Sequence, residues 1–268
     1  MMAGHPGRLG VLVTRPARQC QPLCKLLAGR GWTPVPWPAI EIEAHEPDAG
    51  VIAALRVAGL RDIAVFVSRN AVSHGLRLLA MPPAITIGAI GPSTRQALVD
   101  AGFTLAFESP GFDTEALLTN PGLADLSGRR VFIFRGVGGR EALRDGLVAR
   151  GAQVLYVEVY RRRIRASSPA DRRDLLERWQ SGEIGVYTAT SVEILEALHS
   201  DLGPEFTSLL AETPLVTASR RVVQRSQELQ HRAERILAPG PDDRSLVDAI
   251  ASWSGRLLDP AVRQERER

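Results

Sequence analysis

Ile63-Ala64-Val65-Phe66-Val67-Ser68-Arg69-Asn70-Ala71-Val72 is the stretch on which the fold turns. Its first five residues are apolar with no polar break. That suits a strand buried on both faces and not one with a wet side. Ser68 ends the run where helical spacing begins, the usual place of a helix N-cap. The same order returns at Ile184-Gly185-Val186-Tyr187-Thr188-Ala189-Thr190-Ser191-Val192.

Outward from these two copies, further strand-type runs occur at Gly10–Val13, Ile85–Ala89, Arg130–Phe134, Pro214–Thr217 and Arg235–Ala238. Between them apolar residues take helical spacing, as in Cys20-Leu23-Leu26-Leu27 and Leu143-Leu147-Val148. Strands alternating with helices of this length predict a parallel sheet covered on both faces. Gly29, Gly31, Gly102 and Gly151 fall where helices should stop in a left-handed cap.

The echo is not confined to one pair. Arg15 aligns with Arg135, Ser68 with Ser191, Arg95 with Arg220 and Leu117 with Leu246. The offset grows steadily over roughly 120–130 residues, as small insertions in a duplicated plan would make it. Two stretches break the rhythm. Pro34-Val35-Pro36-Trp37-Pro38-Ala39-Ile40-Glu41-Ile42 is proline-rich and extended. Val154–Arg161 is a long β-type run leading into Arg162 and Arg163. Neither reads as a buried parallel strand, and both are expected to be crossings between two domains, side by side as a ribbon. The tail Asp259–Arg268 is polar and expected to fray.

Composition limits the chemistry. The 268 residues carry a net charge of +3, well short of a nucleic-acid-binding tail. No run approaches the ~20 apolar residues of a membrane span, and the first ten residues lack a signal-peptide core, so a cytoplasmic protein is expected. Lys25 is the only lysine and lies in a helical pattern, which weighs against a Schiff-base mechanism. Arginine supplies nearly all the positive charge; its planar fork suits carboxylates and phosphates, although a GC-rich genome also writes arginine for lysine. Cys20 and Cys24 share one helix face with no third cysteine nearby, and no metal-ligand spacing occurs.

In an open parallel sheet, ligands sit beyond the carboxyl ends of the strands. The residues there are Thr14-Arg15-Pro16, Ser68-Arg69-Asn70, Gly91-Pro92-Ser93-Thr94, Arg135 to Arg140, Thr190-Ser191 and Ala218-Ser219-Arg220. They offer hydroxyls, backbone N–H groups and guanidinium charge, an inventory for a polyanion with little acid–base apparatus. For any one of Ser68, Thr94, Ser191 or Ser219, capping alone is a sufficient reading; the set of them on two domains points to a ligand. Gly136-Val137-Gly138-Gly139-Arg140-Glu141 departs from the dinucleotide fingerprint at its third glycine and lacks the Gly-Lys-Ser/Thr of a P-loop. Tyr160, on a crossing, either faces the cleft or packs beneath it.

Taken in order, Thr14-Arg15-Pro16, Phe66 to Val72, Ile90 to Thr94, Phe134 to Glu141 and Val159-Tyr160-Arg161-Arg162 resemble the uroporphyrinogen-III synthase family, from about Gly10 to about Trp253. The resemblance implies α/β architecture: two flavodoxin-like domains with parallel sheets, joined by a two-stranded β-ladder, with a ligand cleft between them. The implied limits are 1–36 plus 164–256 for a discontinuous first domain, 42–154 for the second, 37–41 and 155–163 for the ladder, and 257–268 for the tail. It implies a monomeric lyase of tetrapyrrole (porphyrin and haem) biosynthesis that cyclises hydroxymethylbilane to uroporphyrinogen III, with loss of water and inversion of ring D through a spiro intermediate. No cofactor and no metal are implied, and neither a nucleic acid nor a membrane is an expected partner. The partner is a linear tetrapyrrole polycarboxylate, and the reading leaves room for a transient contact with hydroxymethylbilane synthase. Tyr160 matches the ladder tyrosine proposed to assist departure of the hydroxyl. Thr94, Ser68, Ser191 and Ser219 match the hydroxyl residues after equivalent strands, and Thr14, Arg15, Arg69, Gly136, Gly138, Arg140 and Thr190 complete the expected substrate contacts. Thr217-Ala218-Ser219-Arg220-Arg221 departs from the Gly-x-x-Thr turn of many members. The alternatives are a non-catalytic ligand-binding or regulatory module of the same fold, and an α/β enzyme for a phosphorylated ligand held at Gly136–Arg140.

Overall fold

Ile63 and Val65 join one apolar cluster, with Leu117, Leu143 and Leu147, while Ala64 and Phe66 join another on the opposite face, with Ala71, Val72 and Leu98. That alternation, with every side chain apolar, is what burial on both faces requires. The computed structural model describes residues 9–79, 84–109, 114–139 and 141–258.

In chain order the elements are β1 (Gly10–Val13), α1 (Ala17–Gly29), β2 (Thr33–Pro36), β3 (Ile40–Ala44), α2 (Ala49–Arg56), β4 (Ile63–Phe66), α3 (Arg69–Gly75), β5 (Thr86–Ala89), α4 (Pro92–Asp100), β6 (Phe107–Glu108) and α5 (Thr114–Leu118). There follow β7 (Arg130–Gly136), α6 (Ala142–Val148), β8 (Gln153–Ile164), α7 (Pro169–Gln180), β9 (Ile184–Thr188), α8 (Val192–Leu202), α9 (Thr207–Glu212), β10 (Leu215–Thr217), α10 (Arg220–Glu228), β11 (Arg235–Leu237) and α11 (Asp243–Leu258). The described residues form two units: those up to Glu41 with those from Arg163 onward, and Ile42–Arg162.

The first unit holds a five-stranded parallel sheet in the order β11-β10-β9-β1-β2. Counted in chain order this is 2-1-3-4-5, the flavodoxin-like arrangement. The second holds six strands in the order β3-β8-β7-β4-β5-β6, with β8 to β6 parallel. Counting from β7, those five also read 2-1-3-4-5. The chain is therefore two successive runs of five equivalent strands, β1-β2-β4-β5-β6 and β7-β8-β9-β10-β11, and each sheet combines the first two strands of one run with the last three of the other. The repeat seen in the sequence pairs the same elements.

Two expectations change. Pro34 and Pro36 lie in a parallel strand, β2, at the edge of the first sheet. Thr33 N and Trp37 N donate to Leu9 O (2.9 Å) and Val13 O (2.8 Å), so alternate residues face β1. The two prolines occupy the positions whose missing N–H would point to the open edge. Gln153–Glu158 of β8 likewise pairs in parallel with β7 before the chain continues beside β3. The bonds His45 N to Val159 O and Arg165 N to Ala39 O, both 3.0 Å, run in opposite numerical senses, so β3 and β8 are antiparallel.

Within the first unit, Asp201 of α8 binds both flanks of the inserted chain. It accepts from Trp37 Nε1 (3.1 Å), Ser167 N (2.7 Å) and Ser167 Oγ (2.8 Å), and all three residues are buried. In the second, Phe66 and Phe134 stack at 4.3 Å between ring centroids. A Cβ on Gly75 would lie 2.6 Å from Phe134, so only glycine lets α3 approach that ring.

Candidate active site

In the second unit, β8 carries one residue more than β7: Arg135 pairs with Glu158 and Gly136 with Tyr160, leaving Val159 as a bulge. Such an insertion re-aims the side chain that follows. Tyr160 lands against Gly136, where any Cβ would lie 2.6 Å from its ring. It is 1% exposed, so it packs beneath the surface. Its hydroxyl lies 3.1 Å from Ser68 Oγ, and Arg162 Nη2 approaches it at 3.4 Å. The Arg162 guanidinium stands 5.7 Å from the centre of the Tyr160 ring, and the His74 ring 6.0 Å from it. Ser68 caps α3, accepting from Ala71 N at 3.1 Å. Arg69 beside it is exposed, and Thr94 is buried in the first turn of α4 behind Gly91, whose φ is +79°.

The glycine loop after β7 is occupied by its own chain. Buried Arg135 donates to Gly136 O (3.2 Å) and Gly138 O, lies 3.5 Å from Glu141 and sits 4.5 Å over the Tyr156 ring. Gly138 N donates to Glu158 Oε1 at 3.1 Å. Tyr156 donates to Glu141, which holds that carboxyl below its usual range; burial and the same carboxylate push the phenol up to about 12. Arg140 lies outside the described residues.

At the matching edge of the first unit, Thr14 is fully buried and donates to Thr188 O, so its hydroxyl serves the sheet. Arg15 is 8% exposed and pairs with Asp243 and Pro241 O. Thr190 and Ser191 are half-buried; Ser191 caps α8, accepting from Ile194 N at 3.2 Å. Ser219 stands at the N-cap of α10 without a side-chain cap bond, while its N–H donates to buried Thr217 Oγ1 (3.1 Å). Burial drives the Cys20 thiol up to about 12, so it is inert in the core. Among the described residues, no three His, Cys, Asp or Glu side chains converge on a metal position, and no helix is long and apolar enough to cross a membrane.

The structure thus brings Ser68 and Tyr160 together and adds Arg162, to which the sequence assigns no site role. The signal was there: two residues apart on one strand, Tyr160 and Arg162 share a face.

A profile of the uroporphyrinogen-III synthase HemD family matches residues 21–248. The uroporphyrinogen-III synthases of Escherichia coli and Salmonella typhimurium are each 29% identical over 250 residues, covering 90% of this chain and 100% of each relative. In fold, the chain is similar to a mutant uroporphyrinogen III synthase from Thermus thermophilus, with TM-score 0.60 and 17% identity over 93% of this chain and 98% of that one. It is likewise similar to uroporphyrinogen-III synthetase from Helicobacter pylori, with TM-score 0.61 and 17% identity over 92% and 99%. With a profile that spans residues of both units, the chain belongs to the uroporphyrinogen-III synthase family.

Proposed function

We propose that this enzyme, a cyclising lyase, closes hydroxymethylbilane into uroporphyrinogen III, with loss of water and inversion of ring D through a spiro intermediate. The observation that carries the reading is the family match across residues 21–248, which spans both units. The site chemistry fits. A tetrapyrrole with eight carboxylates is met by hydroxyls, backbone N–H groups and guanidinium groups. We assign Arg69, Thr94, Thr190, Ser191 and Ser219, with Arg140, to those carboxylates. Thr14, Arg15, Gly136 and Gly138 shape the strand ends that present them. The Tyr160–Ser68 pair assists departure of the hydroxyl. Electron-rich pyrrole expels that group readily, so the protein's contribution is to fold the chain and direct attack on ring D. The same reading has the enzyme act as a monomer in the cytoplasm, with its unstable substrate reaching it through transient contact with hydroxymethylbilane synthase.

The test is isomer analysis. Hydroxymethylbilane is generated in situ with its synthase, this protein is added, and the oxidised porphyrins are separated. Isomer III in proportion to added protein is expected. Isomer I alone, at any concentration of folded protein, would replace this reading with a non-catalytic ligand-binding module.

A further inference from the structure

The hydrogen-bond directions around Tyr160 are fixed by which atoms can only donate. A guanidinium has no acceptor, so Arg162 Nη2 donates to the Tyr160 oxygen. A backbone N–H has none either, so Ala71 N donates to Ser68 Oγ. One choice is left, the 3.1 Å contact between the two hydroxyls. If Ser68 donated, the Tyr160 proton would meet no acceptor among the described residues, in a side chain 1% exposed. An unmet buried O–H is costly. If Tyr160 donates, Ser68 Oγ accepts twice, its full capacity, and every buried proton is placed. The serine's own proton then remains, on the half-buried member of the chain at the carboxyl edge of β4.

We propose that Ser68 is the hydroxyl that meets the substrate, donating to the departing oxygen, and that Tyr160 and Arg162 are positioning residues behind it. The proposal rests on the synthase reading. It reverses the order that the tyrosine alone suggests: Tyr160 acts through Ser68, because burial keeps it from the ligand and the Gly136 backbone holds its ring in place. Arg162 sets the direction of the relay by filling a lone pair on the phenol. The C–O bond breaks as the pyrrole nitrogen's electron pair expels the oxygen as hydroxide, which the Ser68 hydrogen bond holds; the proton that completes water is the one the attacked ring gives up as the macrocycle closes, so none leaves the relay.

The experiment compares kcat and KM for isomer III formation in Ser68→Ala, Ser68→Gly, Ser68→Thr, Tyr160→Phe and the Ser68→Ala/Tyr160→Phe double variant, each checked by thermal unfolding. Glycine is tolerated at a helix N-cap and has no side-chain donor, so Ser68→Gly reports on chemistry even where Ser68→Ala folds poorly. Ser68→Ala and Ser68→Gly should lower kcat about 100-fold, the size of losing one donor aimed at developing charge. Tyr160→Phe should lower it about 10-fold, as loss of one neutral hydrogen bond does. Ser68→Thr should restore kcat to within a few-fold, and the double variant should match Ser68→Ala, because the tyrosine has nothing left to act through. A double variant in which the two losses multiply, or a Tyr160→Phe loss larger than that of Ser68→Gly, would overturn the proposal while leaving the synthase reading intact. A wild-type protein giving isomer I alone would overturn both.

Discussion

At the carboxyl ends of the equivalent strands β1 and β7, the two sheets solve one packing problem differently. Val131 pairs with Ile63 in one sheet and Val11 with Val186 in the other. Three residues beyond these valines stand Phe134 and Thr14. Phe134 is stacked on Phe66 and roofed by Gly75 of α3; Thr14 is tied by its hydroxyl to Thr188 O. The next residue is an arginine in both, 6% exposed at Arg135 and 8% at Arg15. Arg135 is held by loop carbonyls, Glu141 and the Tyr156 ring, Arg15 by Asp243 and Pro241 O. A duplicated strand order thus preserves where an arginine is buried but not how it is balanced. Among the described residues, only the second unit adds a hydroxyl relay at that edge.

The sharpest break in this comparison is Phe134→Ala. It empties the space under α3 and should cost about 3–5 kcal/mol in urea unfolding. Thr14→Val, nearly equal in volume, should cost about 1–2 kcal/mol by leaving Thr188 O unmet. Equal costs would mean that the two ends are packed alike. Next come the arginines. Arg135→Met leaves two loop carbonyls without their donor and loses the stacking on Tyr156 and should cost about 3 kcal/mol, whereas Arg15→Met loses one carboxylate and one carbonyl partner and should cost about 1–2 kcal/mol. The reverse order would show that the single carboxylate is the stronger anchor.

The smallest effect concerns pH. In the first unit, burial lowers the pKa of His199 and of His231, whose Nδ1 lies 3.3 Å from the buried Tyr187 hydroxyl. His231 and Arg225 repel the charged form of His199 and Arg235 that of His231, where the Leu210 and Glu234 backbone and then Glu212 partly offset the shift. A lowered folded pKa means that the unfolded chain binds protons first, so stability falls as pH drops through the ordinary histidine value of 6.5. The urea midpoint should be lower at pH 5.5 than at 7.5, and His231→Gln should flatten the change. An unchanged slope in that variant would place the dependence elsewhere.

The sheets were legible because their strands are unbroken apolar runs. Gly10–Val13 was read to the residue, and Ile63, Arg130 and Ile184 as the starts of β4, β7 and β9. What escaped has physical reasons. β2 is disguised by prolines that only an edge strand tolerates, β6 is two residues long, and β8 mixes a buried parallel half with an arginine-rich end. Gly29 stays helical at the end of α1, and the left-handed position is Gly31 (φ +80°). At the site, local spacing identified Ser68 and Ser191 as caps. The bulge at Val159, which decides what Tyr160 touches, depends on register between distant strands, and no local pattern encodes it. The glycines after β7 suggested an anion cradle, but their carbonyls turn on Arg135, a residue within the same run.

The central claim is that two units of one strand order divide the work, with the chemistry at Ser68 and its counterpart Ser191 confined to binding. The direct measurement is kcat and KM for isomer III formation in Ser68→Gly and Ser191→Gly, which remove each hydroxyl with a residue that helix N-caps tolerate. The account predicts a fall of about 100-fold in kcat at Ser68 and a rise in KM with kcat nearly constant at Ser191. A kcat loss at Ser191 as large as that at Ser68 would contradict it.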